Sequence, residues 1–175
     1  MTRPSIIVAL LLLAGCASQS ASPAPSASVP ADARELGGIQ YQEMAIGTGE
    51  EMSPRRCVYT HYTGWLADGA KFESSRDTMG NGVKGEPVAF PQGVKRVIDG
   101  WDVGFTGMRV GGTRRLFVPY QLGYGEKGNP PSIPRRADLI FEVELMALAV
   151  PIRRDEAFSS RSAPECPPWR QLQKR

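Results

Sequence analysis

Six ring-bearing residues, Tyr62, Phe72, Phe90, Trp101, Tyr124 and Phe141, are spread through the middle of the chain, and no recognisable catalytic group accompanies them. There is a single histidine, His61. A Ser-His-Asp arrangement, a two-histidine metal site or a proton relay would have to be built on it alone. It stands between Thr60 and Tyr62 in a β-branched and aromatic run, so it reads as a strand histidine bonded to backbone. Cys16, Cys57 and Cys166 lack the CxxC spacing of a metal site. Gly82-Val83-Lys84-Gly85-Glu86 is no phosphate-binding loop, and the glycines of Gly80–Gly82 and Gly123–Gly125 lack a dinucleotide context. Glu142 and Glu144 sit on the polar face of an alternating strand, which weakens a glycosidase reading. No metal and no cofactor is expected. What remains is apolar: the rings build a core, a dry pocket, or both.

The elements that would position them follow from periodicity. Tyr41–Gly47, Arg56–Leu66, Lys71–Arg76 and Thr113–Val118 read as strands, separated by turn residues. In Asp138–Ala147, Leu139, Phe141, Val143 and Leu145 alternate with polar neighbours, the pattern of a half-buried antiparallel strand. Val94, Val97, Ile98 and Trp101 fall at i, i+3, i+4 and i+7, which predicts one short helix over Gly93–Asp102. Thr78–Glu86 and Pro119–Arg136 are loops. The fold class is α+β: a twisted antiparallel sheet wrapped around one short α-helix.

The 175 residues carry a formal charge of only +3. Thirteen basic and thirteen acidic residues balance between Ile39 and Val150, leaving no field to attract nucleic acid. Residues 1–15 pair Arg3 with the apolar run Ile6–Ala14, whose helix would rise about 14 Å, too short to span a bilayer. That is the form of a secretory signal. Its end, Leu13-Ala14-Gly15-Cys16, resembles the bacterial lipobox, which implies cleavage before Cys16 and acylation of that cysteine. Ala17 follows where an Asp would resemble the inner-membrane retention signal. The expected location is the cell envelope, anchored by lipid to the outer membrane and facing the periplasm. Residues 16–38 are rich in Ala, Ser and Pro and read as a flexible tether. Residues 39–150 form the folded domain. Residues 151–175 form a basic, Pro-containing tail whose composition favours a mobile segment.

Val58-Tyr59-Thr60-His61-Tyr62-Thr63-Gly64-Trp65-Leu66-Ala67-Asp68-Gly69 resembles the opening motif of the FKBP-type peptidyl-prolyl cis-trans isomerases. Phe72-Glu73-Ser74-Ser75, Val97-Ile98-Asp99-Gly100-Trp101, Gly107–Gly111, Val118–Gly125, Ile133-Pro134 and Leu139–Leu145 follow in the family's order, so the resemblance covers roughly Tyr41 to Leu148. It implies the same α+β fold and catalysis of rotation about Xaa-Pro bonds, a reaction that needs no nucleophile. By position it implies Trp101 as the floor under the proline ring, with Tyr62, Phe72, Val97, Ile98 and Phe141 as walls. The Tyr124 hydroxyl and the Ile98 backbone N–H would donate to substrate carbonyls, and Ile133 would close one side. Glu73, Val88, Phe90 and Ser132 are further expected substrate contacts. Glu73 stands where the family commonly has Asp, Val88 replaces a frequent aromatic, and Ser132 an aliphatic. These departures bear on peptide preference and turnover.

The partners implied are proline-containing unfolded or exported polypeptides and, through Cys16, a membrane; with no long dimerisation helix, the chain is expected to be a monomer. The rival readings are a proline-peptide-binding module or holdase with little turnover and, more remotely, a hydrolase using the acids. If Tyr62 faces the pocket, Cys57 faces the other way, and a Cys57–Cys166 disulfide is a hypothesis for an oxidising compartment.

Overall fold

The computed structural model describes residue 25 and residues 28–77, 85–151 and 165–174. In chain order its elements are β1 (Arg34–Leu36), β2 (Ile39–Ala45), β3 (Cys57–Leu66), β4 (Lys71–Ser74), β5 (Val88–Pro91), α1 (Asp99–Gly104), β6 (Thr113–Val118), a 3-10 turn at Tyr120–Leu122, β7 (Leu139–Ala149) and α2 (Trp169–Leu172). The strands form one antiparallel sheet in the order β1-β2-β6-β7-β3-β4, with β5 also paired to β3. The α+β class is as expected.

β3 and β7 are its spine, paired from Cys57 opposite Ala149 to Leu66 opposite Leu139 with a register shift between Tyr59 and Thr60. Cross-strand partners share a face of a sheet. The rank Tyr41, Leu116, Phe141 and Gly64 therefore lies on one side, and the rank Gln40, Phe117, Ile140 and Trp65 on the other. The first side carries the main core, including Leu116, Phe141, Val143 and Leu145, and α1 packs against it.

α1 is shorter and later than Gly93–Asp102. Lys95 has a φ of 57° and Gly93 one of 77°, both left-handed, so the chain there cannot be helical. Instead Asp102 reaches back from the helix, its carboxylate accepting from the backbone N–H groups of Gly93 at 2.9 Å and Lys95 at 3.3 Å. The helical spacing of Val94, Val97 and Ile98 thus arises in a loop wound onto the first turn. Gly100 and Gly104 both belong to α1. A Cβ at Gly100 would lie 2.5 Å from Val118, and one at Gly104 would lie 2.6 Å from Leu116. The helix sits so close to the sheet that only glycine fits there. Its C-terminal end is tied by buried Arg114, which donates to the carbonyls of Gly104 at 2.6 Å and Thr106 at 2.9 Å and pairs with Glu43.

Two further elements depart from the sequence reading. Gly37 and Gly38, with φ of 55° and 88°, make a tight turn that folds Arg34–Leu36 back onto β2, within the stretch expected to be tether. β5 was not anticipated; of the loop expected before it, residues 78–84 lie outside the described residues.

The tail, expected to be mobile, is docked over its described part, 165–174. Cys166 is disulfide-bonded to Cys57. The Tyr59 hydroxyl donates to the Pro167 carbonyl at 2.5 Å, and its ring lies 5.7 Å from that of Trp169. Arg170 pairs with Glu86 at 2.8 Å. Composition does not disclose this because the partners, Cys57 and Tyr59, are on β3, over a hundred residues away. Closing a loop of 109 residues restricts the unfolded chain, so the crosslink should contribute about 2–4 kcal/mol. Cys166→Ser is expected to lower the denaturation midpoint by that amount and to expose the tail to limited proteolysis while the sheet stays folded. Urea titration and mass-mapped digestion of the oxidised and variant proteins check this.

Candidate active site

Trp101, the third residue of α1, packs its indole into the core on the first face of the sheet. Four rings surround it: Tyr62 at 4.9 Å between centroids, Phe141 at 5.4 Å, Phe90 at 5.6 Å and Phe105 at 5.8 Å. Tyr62 and Phe141 meet it nearly edge-on, at 82° and 81°. Phe72 meets Phe141 perpendicularly at 5.7 Å. Offset and edge-to-face contacts of this kind put ring hydrogens against π faces and stabilise a cluster beyond its buried area. Val97, Ile98, Tyr62 and Phe72 are half-buried against the same core, and Ile133 is buried within it. Seven of the expected residues, Tyr62, Phe72, Val97, Ile98, Trp101, Ile133 and Phe141, therefore converge.

The backbone explains the convergence. β3 and β7 present Tyr62 and Phe141 on one face, the hydroxyls of Ser74 and Ser75 hold Tyr62 by its carbonyl and N–H, and α1 lifts Trp101 to meet them. Gly64 makes room for Phe72: a Cβ there would lie 2.5 Å from that ring and 3.0 Å from Phe141. Ile133 is held by paired backbone hydrogen bonds with Asn129, at 2.8 and 3.0 Å, at the tip of the long loop. Phe90 contacts Trp101 together with Phe105, 5.5 Å away, and both are buried, so Phe90 backs the indole. Phe105 was not singled out from sequence, although it stands four residues after Trp101, the helical spacing that places it beside the indole. Val88 and Ser132 are exposed.

The polar edge of the cluster consists of Tyr62, Tyr124 and Glu73. Burial raises the Tyr62 phenol well above its ordinary value, and the neighbouring Glu73 carboxylate, its hydrogen-bond partner, raises it further. Tyr124 is raised by burial and then by the same carboxylate. It is nevertheless 36% exposed, against 6% for Trp101, so the site grades from a dry floor to a wet rim. The Trp101 indole N–H is the one buried side-chain N or O atom among the described residues without a hydrogen-bond partner, which measures how apolar that floor is.

His61 is not part of this site. Its Nδ1 is 3.0 Å from the Ser75 hydroxyl, a side-chain partner where a backbone one was expected. Burial, then the Arg76 guanidinium, hold its pKa below the ordinary value, so it is neutral at pH 7. It lines a recess of about 190 Å³ that also includes Arg76, Glu142 and Glu144. Glu142 and Glu144 are paired with Arg115 and Arg76 there, which leaves no acid pair poised for hydrolysis.

Residues 49–146 match the family model of the FKBP-type peptidyl-prolyl cis-trans isomerases. The chain belongs to that family. It is 43% identical over 111 residues to the FK506-binding protein of Neisseria meningitidis serogroup B, covering 63% of this chain and 96% of that protein. It is 45% identical over 114 residues to the FKBP-type peptidyl-prolyl cis-trans isomerase FkpA of Aeromonas hydrophila, covering 65% of this chain and 39% of that longer one. Among solved structures it is similar to a peptidyl-prolyl cis-trans isomerase from Pseudomonas syringae pv. tomato, with TM-score 0.58 and 30% identity, over 69% of this chain and 83% of that one. The activity is thus peptidyl-prolyl cis-trans isomerisation, and the fold agrees with the family's.

Because two rings close over Gly64, the FKBP-type site depends on the absence of a side chain there. Gly64→Ala should displace Phe72, destabilise the domain by about 1–3 kcal/mol and lower kcat/KM for a proline peptide at least tenfold. A cis-to-trans relaxation assay beside a denaturation curve separates the two effects.

Proposed function

We propose that the ring cluster around Trp101 is the surface on which the prolyl bond turns, and that the protein works on exported polypeptides while anchored by lipid at Cys16. The observation supporting the first part is the gradient from the 6% exposed Trp101, boxed by Tyr62, Phe141, Phe90 and Phe105, to the 36% exposed Tyr124. A proline ring laid on the indole beside Tyr62, Phe72, Val97, Ile98 and Phe141 would leave water behind.

The physical reason this suffices is in the amide. Rotation about the peptide bond faces a barrier of ~18–20 kcal/mol because resonance must be broken, and Xaa-Pro isomers therefore exchange in tens to hundreds of seconds. The planar amide is the more polar form and water stabilises it best. Moving it onto aromatic surface raises it relative to the twisted form, and walls shaped to the twisted form add to the difference. Lowering the barrier by about 5 kcal/mol accelerates exchange several thousand-fold. Tyr124 and the Ile98 N–H serve as donors that hold the flanking carbonyls, Ile133 closes the loop side, and Glu73 keeps the Tyr62 phenol oriented.

No group in this reading changes its protonation state. Both phenols are shifted upward from 10.0, so they retain their protons beyond the range where free tyrosine starts to ionise. The rate constant for a proline tetrapeptide is therefore expected to be flat between about pH 6.5 and 9.5. Tyr124→Phe removes one hydrogen bond of about 1 kcal/mol and should lower kcat/KM about fivefold without altering that profile. A bell-shaped profile, or an unchanged rate in Tyr124→Phe, contradicts the assignment.

The anchor rests on Leu13-Ala14-Gly15-Cys16, which lies outside the described residues, and on the Ala, Ser and Pro composition after it. Several acyl chains at ~0.8 kcal/mol per buried methylene would hold the domain to a bilayer durably, and the absence of Asp after Cys16 favours the outer membrane. Expressed in a bacterium with an outer membrane, the chain should fractionate with it and yield an N-terminal peptide bearing lipid on Cys16. In Cys16→Ser the lipid should be absent and the protein released from the membrane; an unlipidated, soluble native chain rejects the anchor.

A further inference from the structure

The face of the sheet opposite α1 carries apolar residues that the core does not account for. Trp65, Ile140 and Phe117 are direct partners across β3, β7 and β6, so their side chains form one strip on that face. They are only 7%, 3% and 7% exposed, yet none belongs to the contiguous core cluster on the α1 side. Side chains stand roughly perpendicular to a sheet, so a strip of this kind is hidden only by something lying across it.

The tail is not that cover at its observed position. Its contacts are with Cys57, Tyr59 and Glu86, at the other end of β3. Between the two ends the face is polar, with His61 and Thr63 on β3 beside Glu144 and Glu142 on β7.

The segment before β1 approaches the strip from its open side. Asp32 accepts from the Gln42 side chain at 3.1 Å, and Gln42 shares a face with Arg115 and Glu142, one rank from Phe117 and Ile140. Seven residues upstream, Pro25 is buried, although Ser28 and Val29 between them are exposed. Seven extended residues reach about 24 Å, and the three strand spacings from β2 to β3 come to about 14 Å. The segment is long enough to cross the whole strip.

We propose that Pro25 and the stretch Ser28–Ala33 dock across the face of the sheet remote from Trp101, with Pro25 seated on the Trp65–Ile140–Phe117 strip. A proline ring is a rigid apolar occupant that gives up little conformational freedom on docking. The consequence is directional. The chain leading to the N-terminus leaves from the back of the domain, so the ring site faces away from whatever holds that end. This holds whether or not Cys16 carries lipid.

Hydroxyl-radical footprinting of the full chain tests it, because oxidation of Trp65 and Phe117 is read peptide by peptide. Deleting residues 25–31 should raise their oxidation at least fivefold and Pro25→Asp at least twofold. Trp169 and the rate of prolyl isomerisation, which report the tail and the opposite face, should stay unchanged and so certify the fold. Unchanged oxidation of Trp65 and Phe117 in both variants overturns the proposal. So does protection in the parent chain that falls on dilution, since the cover would then be a second copy.

Discussion

The close approach of α1 to the sheet is the constraint on which the site depends. Gly100 and Gly104 let the helix settle where any Cβ would strike Val118 or Leu116. An interior glycine such as Gly100 costs a helix roughly 1 kcal/mol relative to alanine, and six residues, the last of them Gly104, are too few to be helical alone. The compensation is external. Arg114 closes the C-terminal end on the Gly104 and Thr106 carbonyls, and Asp102 binds the preceding loop to the helix. With both ends fixed from outside, Trp101 is delivered under Tyr62 and Phe141 at a height that a longer, self-sufficient helix packed at ordinary distance would not give.

That placement also explains a feature that would otherwise be a defect. A buried indole N–H without a partner costs about 1–3 kcal/mol, and Trp101 has such an N–H. Supplying it with a polar neighbour would bring a dipole, or a water, to the floor of the pocket. On the proposed reading, in which acceleration comes from withdrawing a planar amide from water onto this surface, the unpaired donor is the lesser cost. Isomerisation is thereby reconciled with a site that has no nucleophile, and the paired Glu142 and Glu144 are left to hold the outer face of the sheet.

Sequence legibility followed the range of the interaction. β7 was readable because Leu139, Phe141, Val143 and Leu145 alternate over a long run and the period-2 signal accumulates. The ring residues were readable as a set through their ordered motifs, though spacing alone left them as either core or pocket. α1 was misread by several residues because four apolar side chains at helical intervals look alike whether the backbone is helical or, as at Lys95, left-handed. β5 has only four residues and ends in Pro91, so no periodicity could register. Phe105 was missed because the helix was ended before it. The Cys57–Cys166 pairing was legible as a hypothesis, from the alternation that turns Cys57 away from Tyr62, and the disulfide is present; the docking of Trp169 on Tyr59 was not, because it joins residues at a separation where local pattern carries nothing.

The two faces of β3 make unlike demands on one strand, and the register reconciles them. Tyr62 and Gly64 face the rings, where one must project and the other must be absent of side chain. His61, Thr63 and Trp65 face the other way, alternating with them along the same backbone. A one-residue slip would exchange the faces, placing His61 and Thr63 among the rings and Tyr62 on the polar side. The ten-residue pairing with β7 and the disulfide at Cys57 both oppose such a slip. The tail crosslink therefore bears on the ring cluster although it lies on the opposite face: by fixing one end of β3, it helps to fix which side chains face Trp101.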